Sequence, residues 1–409
     1  MAAIHKLIQF TQRAKFIKKC YVNEIGNLRS FCTMVQQPQK AQNLTRIGLI
    51  GAATGIVVGG GYAYYKISEA RKNVSLEGKQ AEMVLLKHKP PLTPSRKIVY
   101  PVDTTGLKLT LFQYQTCPFC CKVRVFLDYY GISYDVVEVD PVLRKEIGWS
   151  SYKKVPILLT RVEEEYRPLN DSTMIISLLA SYLRDSSYKI EELAEYYPSV
   201  GIHDDKGKFK YEIINKYFFG ILLSFPLAFS EERYWRKWAD ETFVHMLSPN
   251  VYRTLDESYR TFNWFSEVGK WDEYFPLWER LLIVNVGAMA MWLIGKRLKK
   301  RHRLKDDVRQ SLYDEANNWL RAIRVRGTTF MGGSKPDLSD LAMYGILKSI
   351  EGCDAFQDLL NHTKISVWYD AVKEQVDAHS GSANFVTPVT SYLIKRTVKR
   401  SVSLEVTVN

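Results

Sequence analysis

Leu107, Leu109 and Leu111 alternate with Lys108 and Thr110, and this period of two predicts a half-buried strand over residues 107–114. The period then lengthens. Phe119, Val123, Phe126, Leu127 and Tyr130 recur at helical spacing behind Pro118, which lacks only an N–H that a first helical position cannot use, and Gly131 is a natural stop. "YDVVEVD" (134–140) predicts a second strand, followed by a short helix after Pro141. "KKVPILL" (153–159) predicts a third strand, and "LNDSTMIISLLASYL" (169–183) a helix starting near Thr173. Residues 191–210 are tyrosine-rich and polar and read as a connection. Beyond them, from 211 to 385, long helical patterns predict an all-α domain. Within it, "LLIVNVGAMAMWLIG" (281–295) is uncharged for fifteen residues, too short to span a bilayer comfortably, so a buried core helix is expected. The following "KRLKKRHRLK" (296–305) is basic enough to meet anionic lipid or nucleic acid, but it lacks interleaved aromatics and is expected to be a solvated helix face. In "FMGGSKPDLSDLAMYGIL" (330–347) Asp337 is placed to cap a helix, and Asp340, three residues on, to reach back to the cap's amide.

The N-terminal hundred residues follow another logic. Residues 1–46 hold eight Lys/Arg and one acid, Glu24, so they supply +7 of the net charge of +13; a basic, acid-poor segment with apolar patches predicts a mitochondrial targeting leader rather than a secretory signal. "IGLIGAATGIVVGGGYAYY" (47–65) is uncharged for nineteen residues and is expected to span a membrane once, with Lys/Arg on both sides leaving its topology open. Gly51, Gly55 and Gly59 carry the four-residue spacing by which membrane helices pair. From 66 to 104 scattered charges and Pro90, Pro91, Pro94 and Pro101 predict a linker, and 386–409 is a basic tail. With 46% apolar residues the remainder is ample for packed cores, and the placed charge gives no reason to invoke nucleic acid.

Three of the six cysteines fall within "CPFCC", Cys117 to Cys121; the others, Cys20, Cys32 and Cys353, are isolated, which is not a secreted disulfide framework. Zinc needs a second ligand pair, which the chain lacks. Cys117 stands where the strand meets the helix N-terminus, and free amides with the helix dipole favour a thiolate there. Strand, C-x-x-C, helix, strand, V-P strand and helix, in that order, resemble the thioredoxin fold of glutaredoxins and glutathione transferases. Such a fold implies a cis Val155–Pro156 bond facing the cysteines, with Asp171 and Ser172 where a γ-glutamyl group is held; helix capping alone would also explain those two residues.

The fold class expected is therefore α/β plus all-α: a glutaredoxin/thioredoxin-like domain (105–190), a connection (191–210) and a glutathione-transferase-like helical domain (211–385). "YQTCPFCCKVRVFLDYYGISYDVVEVDP", "SSYKKVPILL", "LNDSTMII", "LSPNVYRT", "IGKRLKKRHRLKDDVR" and "FMGGSKPDLSDLAMYG" together resemble the membrane-associated prostaglandin E synthase 2 family over roughly residues 105–380. That resemblance implies isomerisation of prostaglandin H2, an endoperoxide, to prostaglandin E2, with Cys117 the essential thiol. Tyr114, Phe119 and Cys120 would line the pocket, and Val155, Pro156, Asp171 and Ser172 would hold glutathione. It also implies haem bound with glutathione through Cys117 in an alternative state, and Golgi membranes as the alternative to the mitochondrial destination of the basic leader. The glycine spacing and the dimeric habit of glutathione transferases predict a homodimer paired through apolar helices of the second half, and whether a cleaved soluble form exists stays open. The cysteine chemistry by itself leaves open a glutathione-dependent thiol–disulfide oxidoreductase, a glutathione transferase, or a membrane-tethered haem- or glutathione-binding protein.

Overall fold

The computed structural model describes residues 85–382 apart from 204–206, 208 and 219–225. The leader, the uncharged segment 47–65, residues 66–84 of the linker, the tail, Cys20 and Cys32 lie outside the described residues.

The first part is a five-stranded sheet in the order β1-β3-β2-β4-β5. Its strands are β1 (Arg96–Ile98), β2 (Leu109–Gln113), β3 (Tyr134–Glu138), β4 (Ile157–Val162) and β5 (Glu165–Asn170). β2 lies parallel to β3 and is joined to it through helix α1 (Pro118–Tyr130); β4 is antiparallel to β2, and β5 to β4. Helix α2 (Ser172–Arg184) follows β5. The order of strands and helices read in the sequence is thus realised, but β2 is buried at every position instead of half-buried, since it is the central strand and is covered on both faces, and two boundaries shift. Residues 96–98, assigned to the linker, form an edge strand antiparallel to β3, because a sheet edge satisfies its N–H and C=O groups with any segment that reaches it, Pro-rich neighbours notwithstanding. Residues 165–170, where the sequence predicts no strand, make β5, and "KKVPILL" contributes to β4 only from Ile157. The expected connection is itself structured. It contains helix α3 (Ile190–Ala194) and a hairpin of β6 (Ser199–His203) and β7 (Phe209–Ile213).

The second part is all helical: α4 (Pro226–Trp238), α5 (Val244–Val251), α6 (Leu255–Val268), α7 (Trp271–Tyr274), α8 (Leu277–Leu282), α9 (Ala288–Arg301), α10 (Val308–Arg326), α11 (Leu338–Lys348), α12 (Asp354–His362) and α13 (Ile365–Asp377). Two π-helical turns, Ala239–Phe243 and Ile283–Gly287, join α4 to α5 and α8 to α9. Trp319 stacks on Trp238 at 6.0 Å and meets Trp235 and Trp368 edge-on, each at 5.4 Å, which centres the helical core. Helix α11 packs along α1. Gly345 permits the approach, since a Cβ there would stand 2.7 Å from the Lys122 Cα and 2.8 Å from its amide nitrogen.

One sequence expectation fails here. Residues 281–295 are not a core helix: α8, the π turn and α9 form one 25-residue helix, Leu277–Arg301, whose most apolar window is only 17% buried. Its inner side packs on α5 and α6, with Gly295 close to the carbonyls of Ser248 and Tyr252. The outer side carries exposed Leu281, Leu282, Val286, Met289 and Leu293. Apolar composition says that a face avoids water; it does not say that the same chain covers it.

Candidate active site

Sheet register gathers the site. Phe112 of β2 pairs with Ile157 of β4, and Ile157 pairs with Asn170 of β5. The residues just past these positions therefore meet at one end of the sheet: Tyr114 and Cys117 after β2, Val155 and Pro156 before β4, Asp171 and Ser172 after β5. The Val155–Pro156 bond is cis, as expected.

Cys117 is the N-cap of α1 and the only cysteine of "CPFCC" that keeps part of its surface exposed; Cys120 and Cys121 are buried. The two sulfurs three residues apart are unequal. The Cys120 S–H donates to Cys117, and this bond, the backbone N–H groups of Cys120 and Phe119 and the charge of Arg124 hold the Cys117 thiol below its ordinary range despite burial. Burial pushes Cys120 well up, and donating its proton to Cys117 pushes it further. Cys121 belongs to the floor of the site: its S–H donates to the Gln115 carbonyl at 3.4 Å, and Arg124 donates to its sulfur at 3.0 Å. The same guanidinium donates to Gln113 Oε1 and the Gln115 carbonyl, which fixes the turn that presents Cys117.

Around the thiols stand two tyrosines. The Tyr114 carbonyl accepts the Cys117 amide at 3.2 Å, while its phenol, pushed up to about 12 by burial, is engaged by Arg144. Tyr152, absent from the sequence-derived site, has its phenol pushed up by burial and by the nearby Asp171 carboxylate, and it packs in the cluster that contains Tyr114 and Val155. Nothing in its sequence neighbourhood marks it beyond lying three residues before Val155. Phe119 is half-buried at the first turn of α1, with the Lys122 ammonium 5.9 Å from its ring.

Asp171 holds φ at +70°, a conformation that costs a non-glycine residue about 1–3 kcal/mol and is kept where the surroundings require it. Its Oδ1 accepts the amides of Thr173 and Met174, so it does cap α2. Its Oδ2 faces Lys216 at 3.4 Å in a side chain 29% exposed, and next to it the buried Asn170 Oδ1 has no partner among the described residues. Behind this wall Lys122 donates to Thr173 at 3.0 Å and to Asp240, whose other oxygen accepts from Thr173 at 2.5 Å. Burial alone would raise the Asp240 carboxyl; Lys122, Thr173 and Arg236 hold it below the usual carboxylate range. One buried ion pair thus ties α1, α2 and the π turn after α4 together.

The glutaredoxin family model matches residues 109–161. Prostaglandin E synthase 2 of Mus musculus is 45% identical over 292 residues, spanning 70% of this chain and 74% of that one. The chain belongs to the prostaglandin E synthase 2 family. The Danio rerio protein of the same name is 44% identical over 277 residues, 66% of this chain and 71% of that one. Solved glutathione transferases are far more distant from this family member: transferase F7 of Populus trichocarpa, covering 68% of this chain and 100% of its own, superposes with a TM-score of 0.37 at 11% identity.

Proposed function

We propose that this protein is a prostaglandin E synthase, an isomerase that rearranges the endoperoxide prostaglandin H2 into the hydroxyketone prostaglandin E2 at Cys117. The likeness to relatives of that name carries the choice of reaction. The inequality of the two thiols supports the mechanism.

The reaction relocates one proton without net oxidation. Hydrogen leaves the carbon bearing one peroxide oxygen, and its electron pair closes the carbonyl. The O–O bond breaks with its pair passing to the other oxygen, which must receive a proton. Cys117 supplies that proton: its acidity is raised, and the thiolate left behind is held by the Cys120 S–H and the first amides of α1. The proton released at carbon restores the thiol. Neutral Tyr114, Tyr152 and half-buried Phe119 offer walls suited to an apolar substrate, with Tyr114 keeping Cys117 in place through its carbonyl.

Glutathione fits beside this sulfur. Asp171 Oδ2 and Asn170 Oδ1 offer acceptors for the γ-glutamyl ammonium, Ser172 at the start of α2 suits its carboxylate, and Val155 precedes β4 with its backbone free of the strand ladder. A bound glutathione would orient the substrate against Cys117 and exclude water. Among the described residues no cluster of three or more metal-ligating side chains exists. Haem bound as the resemblance implies would take its thiolate from Cys117 and so compete with isomerisation for one sulfur. The rival reading, a thiol–disulfide oxidoreductase, is favoured by the Cys120–Cys117 hydrogen bond itself, since a dithiol cycle uses the same pair.

The full chain in detergent, incubated with prostaglandin H2 with and without glutathione, is expected to form prostaglandin E2 above the spontaneous rearrangement. Product no greater than the buffer control, alongside brisk reduction of a small disulfide, overturns the isomerase reading.

A further inference from the structure

The outer face of the helix Leu277–Arg301 has a shape and charge that the proposed reaction does not use. Exposed positions recur at helical spacing: Trp278, Leu281, Leu282, Val286, Met289 and Leu293 are each 43–59% exposed. From Leu277 to Ile294 this stripe is about 27 Å long at 1.5 Å per residue. The same face then turns basic. Lys296, Arg297, Lys300 and Arg301 are exposed, and residues 296–305 contain seven Lys/Arg and no acid.

The far end is apolar and basic too. Asp140 is buried within the influence of Glu279, so the loop after β3 comes beside α8 and adds exposed Val142, Leu143 and Lys145. The acids there are withdrawn. Glu279 is 2% exposed, and Glu146 is turned onto the Asp140 amide at 2.9 Å. An apolar stripe with cations at both ends and no exposed acid from 277 to 305 matches one partner chemistry: hydrocarbon bordered by phosphate.

A second copy matches poorly. Two such stripes related by a two-fold axis would set Lys296–Arg301 of one chain against the Lys145 end of the other, cations facing cations, where Glu146, the one acid beside Lys145, is only 12% exposed and already paired with it. The homodimer contact expected through apolar helices of the second half would have to overcome that repulsion. The sequence places the bilayer within reach: only residues 66–84 separate the uncharged segment 47–65 from Leu85, where the described part begins, and nineteen residues extend to about 65 Å at most.

We propose that this face is a membrane-docking surface, its apolar stripe seated at the headgroup boundary of an anionic bilayer and its basic ends on lipid phosphates. Docked so, the described part lies on the bilayer, in place to take an apolar substrate from it.

The test reads Trp278, which is 59% exposed at the first turn of the stripe. The full chain is reconstituted into vesicles of brominated phosphatidylcholine, with or without 30 mol% brominated phosphatidylserine, and tryptophan quenching is compared with that of Trp278→Phe. The difference isolates Trp278. It is expected to be quenched by bromolipid, at least twofold more with phosphatidylserine, and to lose that preference in Lys296→Glu/Lys300→Glu/Arg301→Glu. Those substitutions lie on solvent-facing positions, and retained product formation from prostaglandin H2 checks that the variant is folded. Equal quenching of wild type and Trp278→Phe overturns the proposal, as does indifference to lipid charge. Crosslinking of two chains through Leu281→Cys or Leu293→Cys, with Trp278 unquenched, would assign the face to a second copy instead.

Discussion

Cys117 and Cys120 differ in chemistry because a hydrogen bond received from its neighbour holds the first thiol down while burial pushes the second up. The first faces the site and caps a helix; the second is buried and donates. Only the thiolate is alkylated, so the reaction rate climbs with pH through the thiol's pKa and levels above it. With Cys117 depressed, iodoacetamide labelling should reach its plateau at lower pH than a free thiol near 8.5. Mass spectrometry should place the label on Cys117 while Cys120 stays unmodified. An inflection at or above 8.5 would show that the capping amides and the Cys120 S–H do not stabilise the thiolate. At this scale Cys117 and Asp171 were readable in the sequence, since a C-x-x-C at a strand-to-helix turn and an Asp before an apolar run each declare a local environment. Tyr152 was not, because its nearness to the cysteines and Asp171 arises from strand register.

Among the elements, α11 shows how far a local pattern reaches. Asp337 and Asp340 form the capping box expected of them, with Asp337 Oδ1 accepting the Ser339 and Asp340 amides. Asp340 does more. It accepts from the amides of Met331, Gly332 and Asp337 and from the Trp368 indole, all at 2.9–3.1 Å. Asp340→Ala should therefore cost about 3–5 kcal/mol in chemical denaturation, because it leaves four largely buried donors without an acceptor; a loss below about 1 kcal/mol would mean water replaces the carboxylate. Gly345 on the same helix lies against the backbone of α1. Gly345→Ala should cost about 1–3 kcal/mol and lower activity with it, as α1 must move to admit the methyl group and it carries Cys117. Full activity together with unchanged stability would show that α11 shifts instead. The capping box was legible from its residues; this contact was not, since glycine in a helix has many causes and its partner is 223 positions away in sequence. The π turns were equally silent.

For the whole molecule, periodicity conveyed the order of a sheet-containing part and a helical part, and the buried pair Lys122–Asp240 locks them together where α1 meets the helical core. It misplaced the helix Leu277–Arg301, because an uncharged run reads the same whether a protein core or a lipid surface covers it. The central claim is that this assembled site works through one thiol, and the serine variants of the full chain test it most directly by prostaglandin E2 formation from prostaglandin H2. Cys117→Ser should lose about 100-fold or more, the usual worth of a positioned general acid. Cys120→Ser should stay within about threefold, since a serine hydroxyl still donates to the Cys117 sulfur and isomerisation leaves no mixed disulfide to resolve. Equal and severe loss in both variants, with folding intact, would contradict the single-thiol account and make the dithiol cycle the chemistry of this site.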